Sequence, residues 1–125
     1  MKHHLNYSKE DPNYVLLDEI FKIIGSRKSK MIITSKGIKN VNMMVLSIKI
    51  IFTAMFFDID VEFVVEELKR DKKLKKFFEI SDVPEAVQIS EFLSRFSSDT
   101  YVKIVNSVLM NVKPLKRRVK TNFYS

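Results

Sequence analysis

Three groups of side chains in this sequence are of the types that touch nucleic acid. Arg27, Lys28 and Lys30 stand close together, and Lys116, Arg117 and Arg118 form a second cationic run. Lys and Arg contact phosphate oxygens whatever the base sequence. Between the two runs lie Gln88, Ser94 and Arg95. Gln and Arg grip adenine and guanine edges bidentately, and Ser bonds to either base. Plain alternatives exist for each group. The first is equally a solvated connection, and the second equally the start of a further domain. Glu91 and Arg95 are spaced i, i+4 in the favourable order, as in an ordinary surface pair.

Residues for other chemistries are scarce. The chain has no Cys, so it has neither a disulfide framework nor a thiolate metal site. His3 and His4 are adjacent and so do not share one helical face as metal ligands would. No Gly-rich phosphate loop is present. Glu62, Glu66 and Glu67 offer paired carboxylates, but acid–base work needs them desolvated. They lie opposite an apolar stripe and are expected to face water. No catalytic residue, no metal and no cofactor is therefore expected.

The element that must position these groups is residues 41–57, VNMMVLSIKIIFTAMFF. It is apolar nearly all round, with Asn42, Lys49 and Thr53 as one thin polar strip at i, i+7 and i+11. A helix of that kind sits in a bundle core or a membrane. Crossing a bilayer takes about 20 apolar residues, so this shorter run with its lysine predicts a central core helix. Its Met residues and Phe52, Phe56 and Phe57 are expected as core packing.

Around it the chain alternates stripes and breaks. Residues 1–11 are polar and predicted to be flexible. Asp11-Pro12 starts a helix whose stripe is Tyr14, Leu17, Phe21 and Ile24, closed by Gly25 as a left-handed cap. Residues 26–40 predict a basic connection in which Met31, Ile32 and Ile33 either pair as a short strand or tuck under the bundle. Asn40 caps the central helix. Asp60 caps the next helix, whose stripe is Val61, Val64, Val65 and Leu68. Asp71 caps KKLKKFF, with Leu74, Phe77 and Phe78 inward and Lys72, Lys73 and Lys76 outward. Pro84 opens a helix to about Ser97 with stripe Ile89, Phe92, Leu93 and Phe96. Asp99 caps the last, with Tyr101, Ile104, Val105, Val108 and Val112 inward and Pro114 ending it.

At 125 residues the chain is long enough to bury a core without staples. Gly 2 and Pro 3 are too few for a many-stranded β fold. The expected fold is all-α: a bundle of five to six helices around 41–57, with a helix-turn-helix-like part. Residues 12–112 form the helical domain, and 113–125 a basic tail or the start of a downstream domain. The N-terminus has no apolar core of a signal peptide, so a cytoplasmic protein with no membrane partner is expected. The net charge of +7 favours an anionic partner, and its distribution sharpens this. Residues 20–57 contain no Asp or Glu, nor does the chain after Asp99, while the acids gather between Asp58 and Asp99.

From Val41 to about Leu109 the order of motifs resembles the N-terminal helical domain of insertion-sequence transposases of the Asp-Asp-Glu class. The matching residues begin with the apolar helix Met43 to Phe57 and the break Phe57-Asp58-Ile59-Asp60. They continue through Val65-Glu66-Glu67-Leu68, Asp71 with Leu74 and Phe77-Phe78, Val83-Pro84, and Leu93-Ser94-Arg95-Phe96. Asp58-Ile59 stands where the family has Gly-Leu, and Ser97 where it often has a second basic residue. The resemblance implies a part that holds transposon-end DNA and helps pair subunits. The family's metal-binding carboxylates belong to a downstream ribonuclease-H-like domain, so none of these acids is assigned to that triad.

The expectation is a non-catalytic module that binds double-stranded DNA at transposon ends and supports assembly, with a homodimer or a full-length transposase as protein partner. Arg27, Lys28, Lys30, Lys116, Arg117 and Arg118 would position the duplex, and Gln88, Ser94 and Arg95 would read it. The alternative is a protein–protein interaction or dimerisation module, or a truncated transposase that acts as an inhibitor.

Overall fold

Short-range capping starts most of the helices in the computed structural model, which describes residues 5–110. Asp11 accepts from the Asn13 N–H at 2.9 Å and Pro12 follows, opening α1 (Pro12–Ile24). Ser26 accepts from the Ser29 N–H and opens α2 (Arg27–Ser35). Asn40 accepts from the Met43 N–H at 3.1 Å at the start of α3 (Val41–Phe57). After α4 (Val61–Arg70), Asp71 takes the N–H groups of Lys73 and Leu74 and starts α5 (Lys72–Phe78). The Gln88 side chain accepts from the Glu85 N–H at 2.8 Å at the head of α6 (Ala86–Ser94). Ser97 accepts from the Thr100 N–H before α7 (Ser98–Met110).

These seven helices, with no strand among the described residues, make the molecule all-α. Helix α3 packs against α1, α2 and α4 and is the centre of the bundle. Helix α7 lies on α1 and α2, while α4 carries α5 and α6. The core gathers Leu17, Ile24, Ile33, Met44, Ile50, Val64, Leu68, Leu74, Phe78, Ile89 and Ile104. The expected stripes of α1, α4 and α6 all face it, and Lys72, Lys73 and Lys76 of α5 face solvent. No helix among the described residues is long and apolar enough to cross a membrane.

Several expectations are corrected. The stretch read as a connection or short strand holds α2, which brings the helices to seven. Only Ser29 and Ile33 of α2 are buried, and that is too thin a stripe to show as periodicity. Gly25 has φ −90°, not a left-handed value, because α1 turns directly into α2 through Gly25 and Ser26 alone. The left-handed caps are Asp58 (φ 57°) and Glu79 (φ 61°). The α6 helix begins at Ala86 and stops at Ser94, so Pro84 only precedes it and Arg95 closes it. Asp60 makes no capping hydrogen bond, and Asp99 lies in the first turn of α7 with Ser97 as its cap. Met55 is 74% exposed rather than packed. Glu67 does not face water freely: its side chain is 16% exposed and paired with Arg70.

The N-terminal segment is docked where it is described. Leu5 is buried, and Tyr7 stacks edge-on against Tyr14 and tilted against Phe77, both at 5.0 Å. Two apolar side chains in a polar segment suffice for this, but they make no stripe. Ile104 of the expected α7 stripe is buried and Val105 partly so. The side chains of Tyr101 and Val108, with Val112 and Pro114, lie outside the described residues, as do His3 and His4.

Candidate nucleic-acid interface

Helix α2 carries the first cationic group. Arg27, Lys28 and Lys30 occupy its opening turn and all three are exposed. Among the described residues none of them forms an ion pair. Lys36 caps the other end of the helix, and Lys39 follows in the connection to α3; both are exposed. No carboxylate lies on α2, so its first turn adds side-chain charge to the positive end of the helix dipole. That arrangement repels cations from within the protein and draws anions from outside it.

Arg27, Lys30, Met31, Thr34 and Ser35 share one exposed face of α2. Its hydroxyls are already engaged with their own helix. Thr34 donates to the Lys30 carbonyl at 2.9 Å and Ser35 to the Ile32 carbonyl at 2.7 Å. Among the described residues, the polar groups of this face left without a partner are Arg27 and Lys30, beside a Met31 that is 62% exposed.

Gln88, Ser94 and Arg95 sit on a different part of the bundle, since α6 packs on α4 whereas α2 packs on α1, α3 and α7. Two of the three are locally engaged. The Gln88 carbonyl oxygen holds the Glu85 N–H, and the Ser94 hydroxyl donates to the Glu91 carbonyl at 2.7 Å. Arg95 is exposed at the end of α6, and the expected Glu91–Arg95 ion pair does not form among the described residues. Lys116, Arg117 and Arg118 lie outside the described residues.

Sequence reasoning missed Lys49 as a buried group. Its spacing from Asn42 and Thr53 puts it on a polar strip, yet it is only 6% exposed, and Thr53 and Ser47 are fully buried beside it on α3. The ammonium donates to the Phe78 carbonyl at 3.3 Å and lies 5.3 Å from the Phe21 ring centre. It therefore meets the last residue of α5 and a ring of α1. Burial lowers its pKa below 10.5, and Lys30 adds to the lowering, while Glu79 and Asp18 oppose it. Only the apolar run around Lys49 hinted at this.

A second buried group is Tyr14, whose hydroxyl has no hydrogen-bond partner among the described residues. Burial pushes the phenol pKa well above its ordinary value, and the carboxylates of Asp11, Asp71 and Glu67 push the same way. Tyr14 therefore stays neutral and acts as a packing ring, in contact with Tyr7, Phe57 and Phe77.

Set against known proteins, the chain matches no family model, no curated protein and no solved structure.

Proposed function

We propose that this chain is a non-catalytic module that binds double-stranded DNA and supports assembly, of the kind that precedes the catalytic domain in Asp-Asp-Glu transposases. Transposon ends would be its DNA, and a second copy or a full-length transposase its protein partner. The observation that carries the reading is the exposed cluster Arg27, Lys28 and Lys30, unpaired among the described residues, on a helix without a carboxylate. The motif order from Met43 to Phe96 supports the transposase assignment. Gln88, Ser94 and Arg95 on a helix-turn-helix-like pair, with Lys116, Arg117 and Arg118, complete the expected set of DNA-contacting side chains.

Fluorescence anisotropy tests this directly. One labelled duplex would carry the inverted repeats flanking the gene and another a scrambled version, each titrated at several salt concentrations. The expected result is preference for the repeats and a steep salt slope. Removing one phosphate-binding cation by Lys28→Ala or Lys30→Ala should flatten that slope by about 0.9. No binding to either duplex overturns the reading.

The interaction-module alternative draws on exposed apolar side chains. Val15, Met31, Met55, Val87 and Val102 are exposed, but each stands on a different helix. Single exposed apolar residues are normal on protein surfaces, so the DNA reading is preferred.

A further inference from the structure

We infer that α2, not α6, is the helix that enters the DNA major groove, with Arg27 and Met31 at base edges and Lys28, Lys30 and Lys36 on phosphates. This rests on the DNA-binding reading above and assigns the base-reading role within it.

Helix α2 is held to the body along one narrow line. Its fully buried residues are Ser29 and Ile33, spaced i, i+4. Arg27, Lys28, Lys30, Met31, Thr34 and Ser35 all face solvent. A helix with its side chains is about 10–12 Å across and the major groove about 12 Å wide. Insertion needs a helix that shows most of its circumference, as α2 does.

Helix α2 is also firmly placed. A base reader must be fixed relative to the phosphate contacts. The Ser29 hydroxyl donates to the Ile23 carbonyl at 2.6 Å, which ties α2 to the last turn of α1. Ser26 caps α2, and Gly25 with Ser26 forms the whole connection. Two helices joined by a tight Gly-containing turn, the second with an exposed first turn, share this much with the helix-turn-helix layout, whose turn is usually one or two residues longer and whose second helix reads the groove through its N-terminal residues. Here those residues are Arg27, Lys28, Lys30 and Met31.

The side-chain chemistry points the same way. Arg grips guanine through its O6 and N7 atoms, and an apolar side chain meets the thymine methyl. Arg27 and Met31 supply both on one groove-facing side. Helix α6 offers less. Its Gln88 acceptor and Ser94 hydroxyl are engaged, Glu85 is paired with Lys69 at 2.6 Å, and Glu91 stands exposed beside them. The Glu91 carboxylate repels phosphate, and among the described residues Arg95 is the one cation at the C-terminal end of α6.

The test uses the whole chain, the two duplexes above, and dimethyl sulfate protection of guanine N7, which reports the major groove. The expected result is that Arg27→Ala weakens the repeat duplex at least tenfold and erases an N7 protection seen with the unaltered chain. Arg27→Lys should keep the salt slope and lose the preference between duplexes. Gln88→Ala and Arg95→Ala should keep the preference between the two duplexes, whatever affinity they lose. Circular dichroism checks that each variant is folded. Loss of preference in Arg95→Ala, with Arg27→Ala weakening both duplexes alike, overturns the inference and returns the reading role to α6. Binding without preference or N7 protection also overturns it, leaving phosphate attraction alone. No binding at all overturns the DNA reading itself.

Discussion

Arg27, Lys28 and Lys30 of α2 and Lys49 of α3 come from the same acid-free stretch, residues 20–57, and end in opposite surroundings. The α2 cations are exposed and, among the described residues, unpaired, on a helix held down by Ser29 and Ile33. Lys49 is enclosed between α1 and α5, with one hydrogen bond and one aromatic face as its compensation. From Met44 to Ile50 every residue of α3 is buried, polar ones included. A fully buried Ile or Leu side chain contributes about 1.5–3 kcal/mol, so α3 can carry a costly lysine and α2 cannot carry much strain. A basic stretch thus contains both exposed charge that an outside anion can reach and an internal charge that none reaches. Only the former can act in recognition.

Core truncation should separate the two helices most sharply. Ile50→Ala on α3 is expected to cost about 2–5 kcal/mol in urea unfolding, as a cavity forms among fully buried neighbours. Ile33→Ala on α2 carries a similar transfer penalty but should loosen mainly α2. Hydrogen exchange would then rise over 27–35 far more than over 44–54. Equal rises in both segments would break the contrast.

Charge removal should behave in reverse at the two sites. Lys49→Met is expected to be neutral or stabilising, on the order of 1 kcal/mol, because it removes a desolvated ammonium and keeps the volume. The unaltered chain should also gain stability as pH rises. Its folded Lys49 has a pKa lowered from 10.5, so between that lowered value and 10.5 the unfolded chain binds more protons. The burial cost is full below the window and is relieved as pH climbs through it. Lys49→Met should flatten that rise, and thermal melts from pH 7 upward read it. A melt profile unchanged by the substitution would mean that the amine is better solvated than its surroundings indicate.

Capping provides a smaller effect of known sign. Asn40→Ala removes the bond to the Met43 N–H and should cost about 1 kcal/mol. The smallest stability effect belongs to the exposed cluster. Arg27→Ala, Lys28→Ala and Lys30→Ala should each stay within about 0.5 kcal/mol in stability. A large loss of stability there would show that α2 is a structural strut and not a presented surface.

Legibility followed the range of the interactions. Asp11-Pro12, Asn40 and Asp71 announced their helices because a cap and the N–H groups it satisfies lie within one turn. The stripes of Tyr14, Leu17, Phe21 and Ile24, and of Val64, Val65 and Leu68, were equally plain, since a one-sided apolar face shows its spacing in any window. The 41–57 helix was recognisable as the centre because it is apolar on nearly every face. Helix α2 was hidden because two buried residues make no periodic pattern. The base-reading type of Gln88 was legible in the sequence, whereas its bond to the Glu85 N–H shows only in the folded α6.

The amino-acid order alone therefore settled the all-helical class, the central helix, most helix starts and the uneven charge. Tertiary packing decided which polar groups remain available to a partner. It buried Lys49 under Phe78 and Phe21, which are distant in sequence, docked Leu5 and Tyr7 on the bundle, and left the first turn of α2 in solvent. Caps and stripes depend on neighbours along the chain, whereas the exposure of a cation depends on whichever helices fold across it.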